Sequence, residues 1–441
     1  MARRFFSAPY FKAAEGMGYL TVVAIIFACI YAVCAALTLH YVFFTAVGIF
    51  CVKKFPAANE KCSYGIIIGA RNEENVIAAL IDSIKSCNYP QEKLKIFVVA
   101  HNCTDKTAGI ARSHGAIVYE YNNPAECTVG YAYKYILGRV FKDYKKEDFD
   151  GFFIINADNR MTAEYFDKMN DAFVYYNKKN VVTSYRNSGN MGENYISCLY
   201  GLFFISACRL EARGRTVCNR STRVSGTGYV FPASIVEDGW KYVTLTEDWE
   251  FSADRIACGN KIMYCDEAEF FDEQPTTVPI MLRQRLRWAR GHTLVCFTKL
   301  KMLIKNIFKR RGKDEKTDKF SMFDIAVSIL PLGAIGVGLW LLNLICIAFS
   351  PLFGYDPAVV WMWYGIVSAA GFVLSYLLTF FTGALLWALE RKRIAKVGFC
   401  KTASTLLLFP FFLLLNVILD VVSLFVKNLS WKTIPHSGGK K

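Results

Sequence analysis

Gln284-Arg285-Leu286-Arg287-Trp288 sets an amide, two guanidinium groups and a large ring on one short stretch. Arginine meets phosphate oxygens in a bidentate way, and a tryptophan ring stacks on a pyranose. Gln284, Arg287 and Trp288 therefore suit a departing diphosphate and the sugar beside it. A helix carrying R-x-R-W also serves as a membrane-surface anchor, and the stretch alone does not choose. Upstream, Thr246-Glu247-Asp248-Trp249-Glu250 clusters acids, and Asp248 or Glu247 could take a proton from an attacking hydroxyl. The same residues read as a capping box at a helix start. Phe153 to Arg160 is an apolar run ending on Asn156-Ala157-Asp158-Asn159. A carboxylate at the end of a strand is well placed to hold a divalent cation between two phosphates, and an Asx turn is the plainer reading. Ser225-Gly226-Thr227-Gly228-Tyr229 brings backbone close to a sugar or makes a simple turn.

These residues need elements to position them, and the surrounding pattern alternates short β-branched runs with helical periods. Tyr64 to Gly69, Ile96 to Ala100, Ile117 to Tyr121 and Phe152 to Asn156 read as strands. Between the first two, Val76, Ile77, Leu80, Ile81 and Ile84 recur on one helical face. Asn102-Cys103-Thr104-Asp105 is a polar turn able to cap a helix that ends at Gly115. The expectation is an α/β domain with a largely parallel sheet whose ligands bind at the C-terminal ends of the strands.

The 441-residue chain is 54% hydrophobic, more than a soluble domain of this size needs. Apolar runs at about 18–52, 323–349, 359–389 and 403–426 each exceed the roughly 20 residues that cross a bilayer. The formal charge of +15 gathers beside those runs, which points to an anionic membrane surface and away from nucleic acid. The fifteen cysteines form no C-x-x-C pair, and the five histidines (His40, His101, His114, His292, His436) show no ligand spacing. A metal, if bound, is held mainly by oxygen. The expected organisation is a membrane anchor over 1–55, a domain over 56–300 ending in an interfacial helix, a basic linker over 301–322, membrane helices over 323–427 and a basic tail over 428–441. Basic residues at 53–54, 299–319 and 391–401 place the domain in the cytosol. Single crossings would put both basic termini outside, so one run should double back, with the last (Pro410, Asp420) as the candidate.

The ordered set of motifs resembles the membrane-bound family 2 glycosyltransferases, the broad group of hyaluronan, chitin, cellulose and poly-N-acetylglucosamine synthases. The matching stretches are IIIGARNEENVI from Ile66, VVAHNCTDKTAGIAR from Val98, INADNRM from Ile155, SGTGYVF from Ser225, LTEDWEFS from Leu245, DEQP from Asp272 and QRLRWARG from Gln284. The resemblance implies a cytosolic GT-A (nucleotide-diphospho-sugar transferase) domain joined to transmembrane helices in the plasma membrane. It also implies inverting transfer from a nucleotide sugar, most simply a UDP-sugar, with Mg2+ or Mn2+ as cofactor. The acceptor would be a growing polysaccharide or a lipid-linked carbohydrate. Carried over by position, Asp158 matches the metal-binding aspartate and Asp248, beside Glu247, the general base. Gln284, Arg287 and Trp288 match the residues at diphosphate and acceptor, and Ala70, Arg71, Asn72 and Glu73 the first nucleotide loop.

Three positions depart from the family pattern. His101 and Asn156 stand where aspartates are usual, and Val129 stands where a lysine is usual. His101 removes a carboxylate acceptor for a uracil-type N–H, although a neutral imidazole still accepts one hydrogen bond. The alternative function is a catalytically silent relative that partners another synthase in a complex. A transporter built on Asp420 is a third reading.

Overall fold

The computed structural model describes residues 9–309, 318–394 and 396–426, with side chains from Gly18 onward in the first helix. The basic terminal residues Arg3, Arg4, Lys427, Lys432, Lys440 and Lys441, the expected tail and the centre of the expected linker lie outside the described residues.

After α1 (Pro9–Phe50), the chain enters a domain that begins with β1 (Tyr64–Ala70), α2 (Ile77–Lys85), β2 (Leu94–His101), α3 (Thr107–Ser113) and β3 (Ile117–Tyr121). It continues through α4 (Val129–Asp143), β4 (Gly151–Asn156), β5 (Arg160–Met161), α5 (Tyr165–Tyr175) and β6 (Val181–Ser188). Strands β1 to β4 fall on the runs read from the sequence. The apolar face of α2 is buried at Ile77, Leu80, Ile81 and Ile84, as its period requires. Burying one such side chain contributes about 1.5–3 kcal/mol. Gly115, with φ of 82°, takes the left-handed position just after α3.

The rest of the domain comprises α6 (Tyr195–Ser206), a π-helical segment Ala207–Arg213, α7 (Gly214–Val217), β7 (Tyr229–Pro232), α8 (Glu247–Ala257), β8 (Ile262–Asp272) and α9 (Val278–Phe308). All eight strands form one sheet in the order β3-β2-β1-β4-β7-β6-β8-β5. The expectation of a largely parallel sheet holds for β3-β2-β1-β4 and for the β6–β8 pair. Strand β7 runs antiparallel to both β4 and β6, and β5 runs antiparallel to β8, so the sheet is mixed. Packed on one face are α2, α3 and α5, and on the other α4, α8, α9 and the following helix.

The C-terminal part comprises α10 (Lys319–Ser328), α11 (Leu332–Ala348), α12 (Pro357–Leu389) and α13 (Phe399–Phe425). The run expected as one span at 323–349 is broken: α10 and α11 meet at 61°, and α10 is buried on the domain through Met322, Ile325, Ala326 and Val327. Pro331, which disfavours helix before it, stands at the break. The domain boundary moves with it, because α9 continues to Phe308 and α10 begins inside the expected linker.

Among the described residues, four helices are long and apolar enough to cross a membrane, Gly18–Phe50, Tyr195–Val217, Pro357–Leu389 and Phe399–Phe425, and the bent pair α10–α11 would make a fifth if it is one span. Tyr195–Val217 was not expected, and 61% of its apolar window is buried inside the protein, against 6% for Gly18–Phe50 and 11% for Pro357–Leu389. It belongs to a third core cluster that joins Tyr200 and Leu202 to Leu386, Phe409 and Phe412. Helix α1 docks on this part of the domain by close backbone approach. A Cβ on Gly48 would stand 2.2 Å from the Arg209 carbonyl oxygen, and one on Gly214 would stand 2.0 Å from that of Phe44.

Helix α13 touches the domain along its whole length. Lys401 donates to the carbonyl of Gly192 near its start, Arg285 reaches Phe412 and Asn416 in its middle, and Arg290 and Thr293 reach Ser423 near its end.

Candidate active site

The loops after β1, β2 and β4 open at one edge of the sheet. The Ala70–Glu73 turn is pinned to the β2–α3 loop: Asn72, at φ 56°, accepts from Thr104 N at 2.8 Å, and Glu73 N donates to Thr107 Oγ1 at 2.8 Å. Arg71 Nε donates to the His101 carbonyl at 3.0 Å, and its Nη2 lies 3.2 Å from His101 Nδ1. His101 Nε2 lies 2.7 Å from the carbonyl oxygen of Glu126, which can only accept. The imidazole is therefore the Nε2–H tautomer with Nδ1 accepting from Arg71. Its pKa is pushed down to about 4, by burial first and by the Arg71 charge second. The one acceptor that a neutral imidazole offers is thus already taken.

The turn after β4 is welded to the glycine-rich loop before β7. Asn156 N donates to Thr227 Oγ1 at 2.9 Å, Thr227 Oγ1 donates to Asn159 Oδ1 at 2.5 Å, and Asn159 Nδ2 donates to Asp158 Oδ1 at 3.1 Å. Asn159 is 1% exposed, so this network holds Asp158 in place from a dry interior. Gly228 requires glycine, with φ of 69° and a Cβ position 2.2 Å from the Phe270 ring. Gly226 presents bare backbone to Asp248: a Cβ there would lie 3.8 Å from Asp248 Oδ2.

Glu247 and Asp248 open α8, and α9 packs across them. Arg287 Nη1 donates to the Leu245 carbonyl at 2.9 Å, and a Cβ on Gly291 would stand 2.4 Å from Thr246 Cγ2. Glu247 is 6% exposed. Its carboxyl is pushed up to about 8 by burial and then by the Asp248 charge, and Asp248 is itself raised by burial. Arg287 is lowered by burial and drawn back by the Glu247 and Asp248 charges. Trp288 meets Tyr200 and Phe204 edge-on, with ring centroids 6.0 and 6.1 Å apart.

All these loops and helices line one cavity of about 410 Å³. Of the residues expected from sequence, Ala70, Arg71, Glu73, His101, Asn156, Asp158, Gly226, Glu247, Asp248, Gln284, Arg287 and Trp288 line it. Asn72 does not; it is exposed and spends its side chain on the Thr104 loop. The lining also includes residues that sequence reasoning did not assign to the site: Glu273, Arg285, His292, Asn416 and Asp420. Asp420 carried a signal, an acid within an apolar run; Asn416 carried none.

The donor set fits a hard divalent cation. Glu73 is pushed up to about 9, first by burial and then by the charges of Asp158, Asp105 and Glu273, a crowding of carboxylates that a cation would relieve. Among the described residues, no three His, Cys, Asp or Glu side chains form a ready-made cage. Mg2+ characteristically binds through one or two carboxylates plus substrate phosphates.

The chain belongs to glycosyl transferase family group 2, whose model matches residues 151–419. The family is one of glycosyltransferases, and the fold is GT-A-like. A curated relative, the probable glycosyltransferase YdaM of Bacillus subtilis (strain 168), is 26% identical over 265 residues, covering 58% of this chain and 61% of that protein. The chain thus matches about three fifths of that relative's length. The mannosyltransferase PcManGT from Pyrobaculum calidifontis, solved with GDP-Man and Mn2+, superposes with a TM-score of 0.53 at 14% identity, covering 91% of this chain and 98% of that one. S. aureus TarS 1–349, solved with UDP-GlcNAc, is a more distant likeness, with a TM-score of 0.38 at 12% identity over 61% of this chain and 72% of that one.

Proposed function

We propose that the protein is an inverting, membrane-embedded glycosyltransferase that moves a sugar from a nucleoside diphosphate donor to a hydroxyl of an acceptor presented at the membrane face of the cavity. The observation that carries this reading is the convergence of Asp158, Asp248 and Arg287, from three separate segments, on one cavity. The acceptor oxygen attacks the anomeric carbon, the bond to the diphosphate oxygen breaks with its electron pair, and the acceptor proton passes to the Asp248 carboxylate. Arg287 meets charge growing on the diphosphate, and burial strengthens that interaction. Asp158 and the donor phosphates would hold Mg2+ or Mn2+, which neutralises the same leaving group. Glu247, its carboxyl pushed up to about 8, stands beside Asp248, and Gln284 and Trp288 border the transferred sugar.

At the other end, Ala70, Arg71, Glu73, His101 and Asn156 border the nucleotide. With both ring nitrogens of His101 engaged, base recognition falls to the Arg71 guanidinium and the backbone, and donor classes beyond UDP-sugars are open to the site. Helices α1 and α12 anchor the protein, with the domain on the basic, cytosolic side of the plasma membrane. A polysaccharide or lipid-linked acceptor fits this placement, in the manner of the synthase group. The silent-partner reading is not favoured, because Asp158, Asp248 and Arg287 are all present in one cavity.

The test is Asp248→Asn, which keeps volume and removes basicity. Turnover should fall by about 10² to 10⁴ while nucleotide binding by calorimetry stays nearly unchanged. A variant with more than about a third of wild-type turnover would remove Asp248 as the base.

A further inference from the structure

Two arginines two residues apart in α9 meet different surroundings. Arg287 faces the Glu247 and Asp248 carboxylates. Arg285 is 3% exposed and has only neutral partners: the Asn416 side-chain oxygen at 2.5 Å from Nη2 and 3.2 Å from Nε, the Phe412 carbonyl at 2.6 Å, and the Phe412 ring 3.8 Å below its guanidinium carbon. Its Nη1 is buried with no hydrogen-bond partner. No carboxylate lies within ion-pair distance of it among the described residues. Asp420, on the same helix as Asn416, spends its carboxylate on the Gly333 backbone N–H.

A buried cation without a counter-ion is costly, and proteins pair such charges or leave them for a ligand. Arg285 is among the residues that line the cavity, so an anion bound there would meet its uncompensated charge. Burial lowers its pKa only to about 10, and it remains a cation at neutral pH. Phe203, Phe204 and Trp288 border the same end of the cavity, an apolar wall continuous with the membrane-facing helices.

We propose that Arg285, braced by Asn416, forms a second anion subsite that binds a phosphate group on the acceptor, apart from the donor diphosphate at Arg287. The acceptor is then a phosphate-bearing molecule that enters from the membrane side. This rests on the glycosyltransferase reading for the word acceptor, but the anion subsite is testable without turnover.

Native mass spectrometry of the full-length protein in detergent reads the test, with phosphatidic acid as the lipid phosphate probe and phosphatidylcholine as the control lipid. Wild-type protein should retain phosphatidic acid over phosphatidylcholine and should hold it together with UDP or GDP. Arg285→Gln should lower phosphatidic acid retention about tenfold and leave nucleotide binding in place, and Arg287→Gln should do the reverse. Displacement by millimolar inorganic phosphate would identify free phosphate as a sufficient ligand; retention in its presence would identify a lipid-borne one. Mutual exclusion of nucleotide and phosphatidic acid on the wild-type protein would overturn the proposal, and that arm needs no variant to fold. Equal retention by Arg285→Gln and wild type would overturn it too. Failure of the glycosyltransferase reading would look different: no nucleotide binding, with phosphatidic acid retention intact.

Discussion

The two ends of the cavity are built by opposite strategies. At the nucleotide end, loops that follow three adjacent parallel strands tie one another down by short hydrogen bonds: Asn72 to Thr104, Glu73 to Thr107, Asn156 to Thr227. At the membrane end, α6, α9 and α13 meet across long stretches of chain, through Arg285 with Asn416, Trp288 with Tyr200, and Thr293 with Ser423. The first end is stiff because each loop is short and doubly anchored. The second depends on helix packing, and so its geometry follows the membrane helices as much as the domain. Arg287 and the Glu247–Asp248 pair stand where the two constructions join.

That comparison makes graded expectations. Arg287→Gln strikes the junction, removing a cation from the leaving group and the tie to Leu245. Turnover should fall by about 10² to 10³, the usual cost of one preorganised donor. Steady-state nucleotide release measures it, and an equal loss at every Q-x-x-R-W position would contradict a separate role for Arg287.

Asp158→Ala acts on the nucleotide end alone. Metal-dependent nucleotide binding should weaken by about tenfold, the cost of one charge-assisted contact, with phosphatidic acid retention unmoved. Calorimetry with metal and with chelator separates the metal term, and equal binding by variant and wild type in metal would make Asp158 structural.

The smallest expected effect is one of pH. Glu247 is raised to about 8 and Asp248 is raised as well, burial being the first cause for both. A base must be unprotonated, so kcat/KM should climb as pH rises, over a range above that of an ordinary aspartate. Each carboxylate's charge opposes ionisation of the other, and Glu247→Gln should therefore move the acid limb downward. A pH–rate profile with no movement would show that the pair does not titrate together.

How far the sequence reached follows the same divide. Strand ends and their loops are local patterns, so Asp158 stood out where an apolar run stops on polar residues, whereas the Ala70–Glu73 turn was singled out only through the family resemblance. The period of Ile77, Leu80, Ile81 and Ile84 fixed α2 equally well. Apolarity does not distinguish burial in lipid from burial in protein, however. For that reason Tyr195–Val217, mostly inside the core, was not read as a helix of any kind, and 323–349 was read as one span despite Pro331. The meeting of Arg285 with Asn416 is a tertiary contact with no local signature. The tautomer of His101 depends on Glu126 and Arg71 together, and only the folded loops bring those to it.

Free nucleotide release tests the central claim most directly. Purified full-length protein in lipid is presented with UDP-, GDP- and other nucleotide sugars, with Mg2+, with Mn2+ and with chelator. Metal-dependent release of nucleotide from at least one donor, absent in Asp248→Asn, is the expected result. Donor nucleotide that binds to the wild-type protein but is never released from any sugar, across the panel and with either metal, would contradict the account and leave a binding site without a transferase.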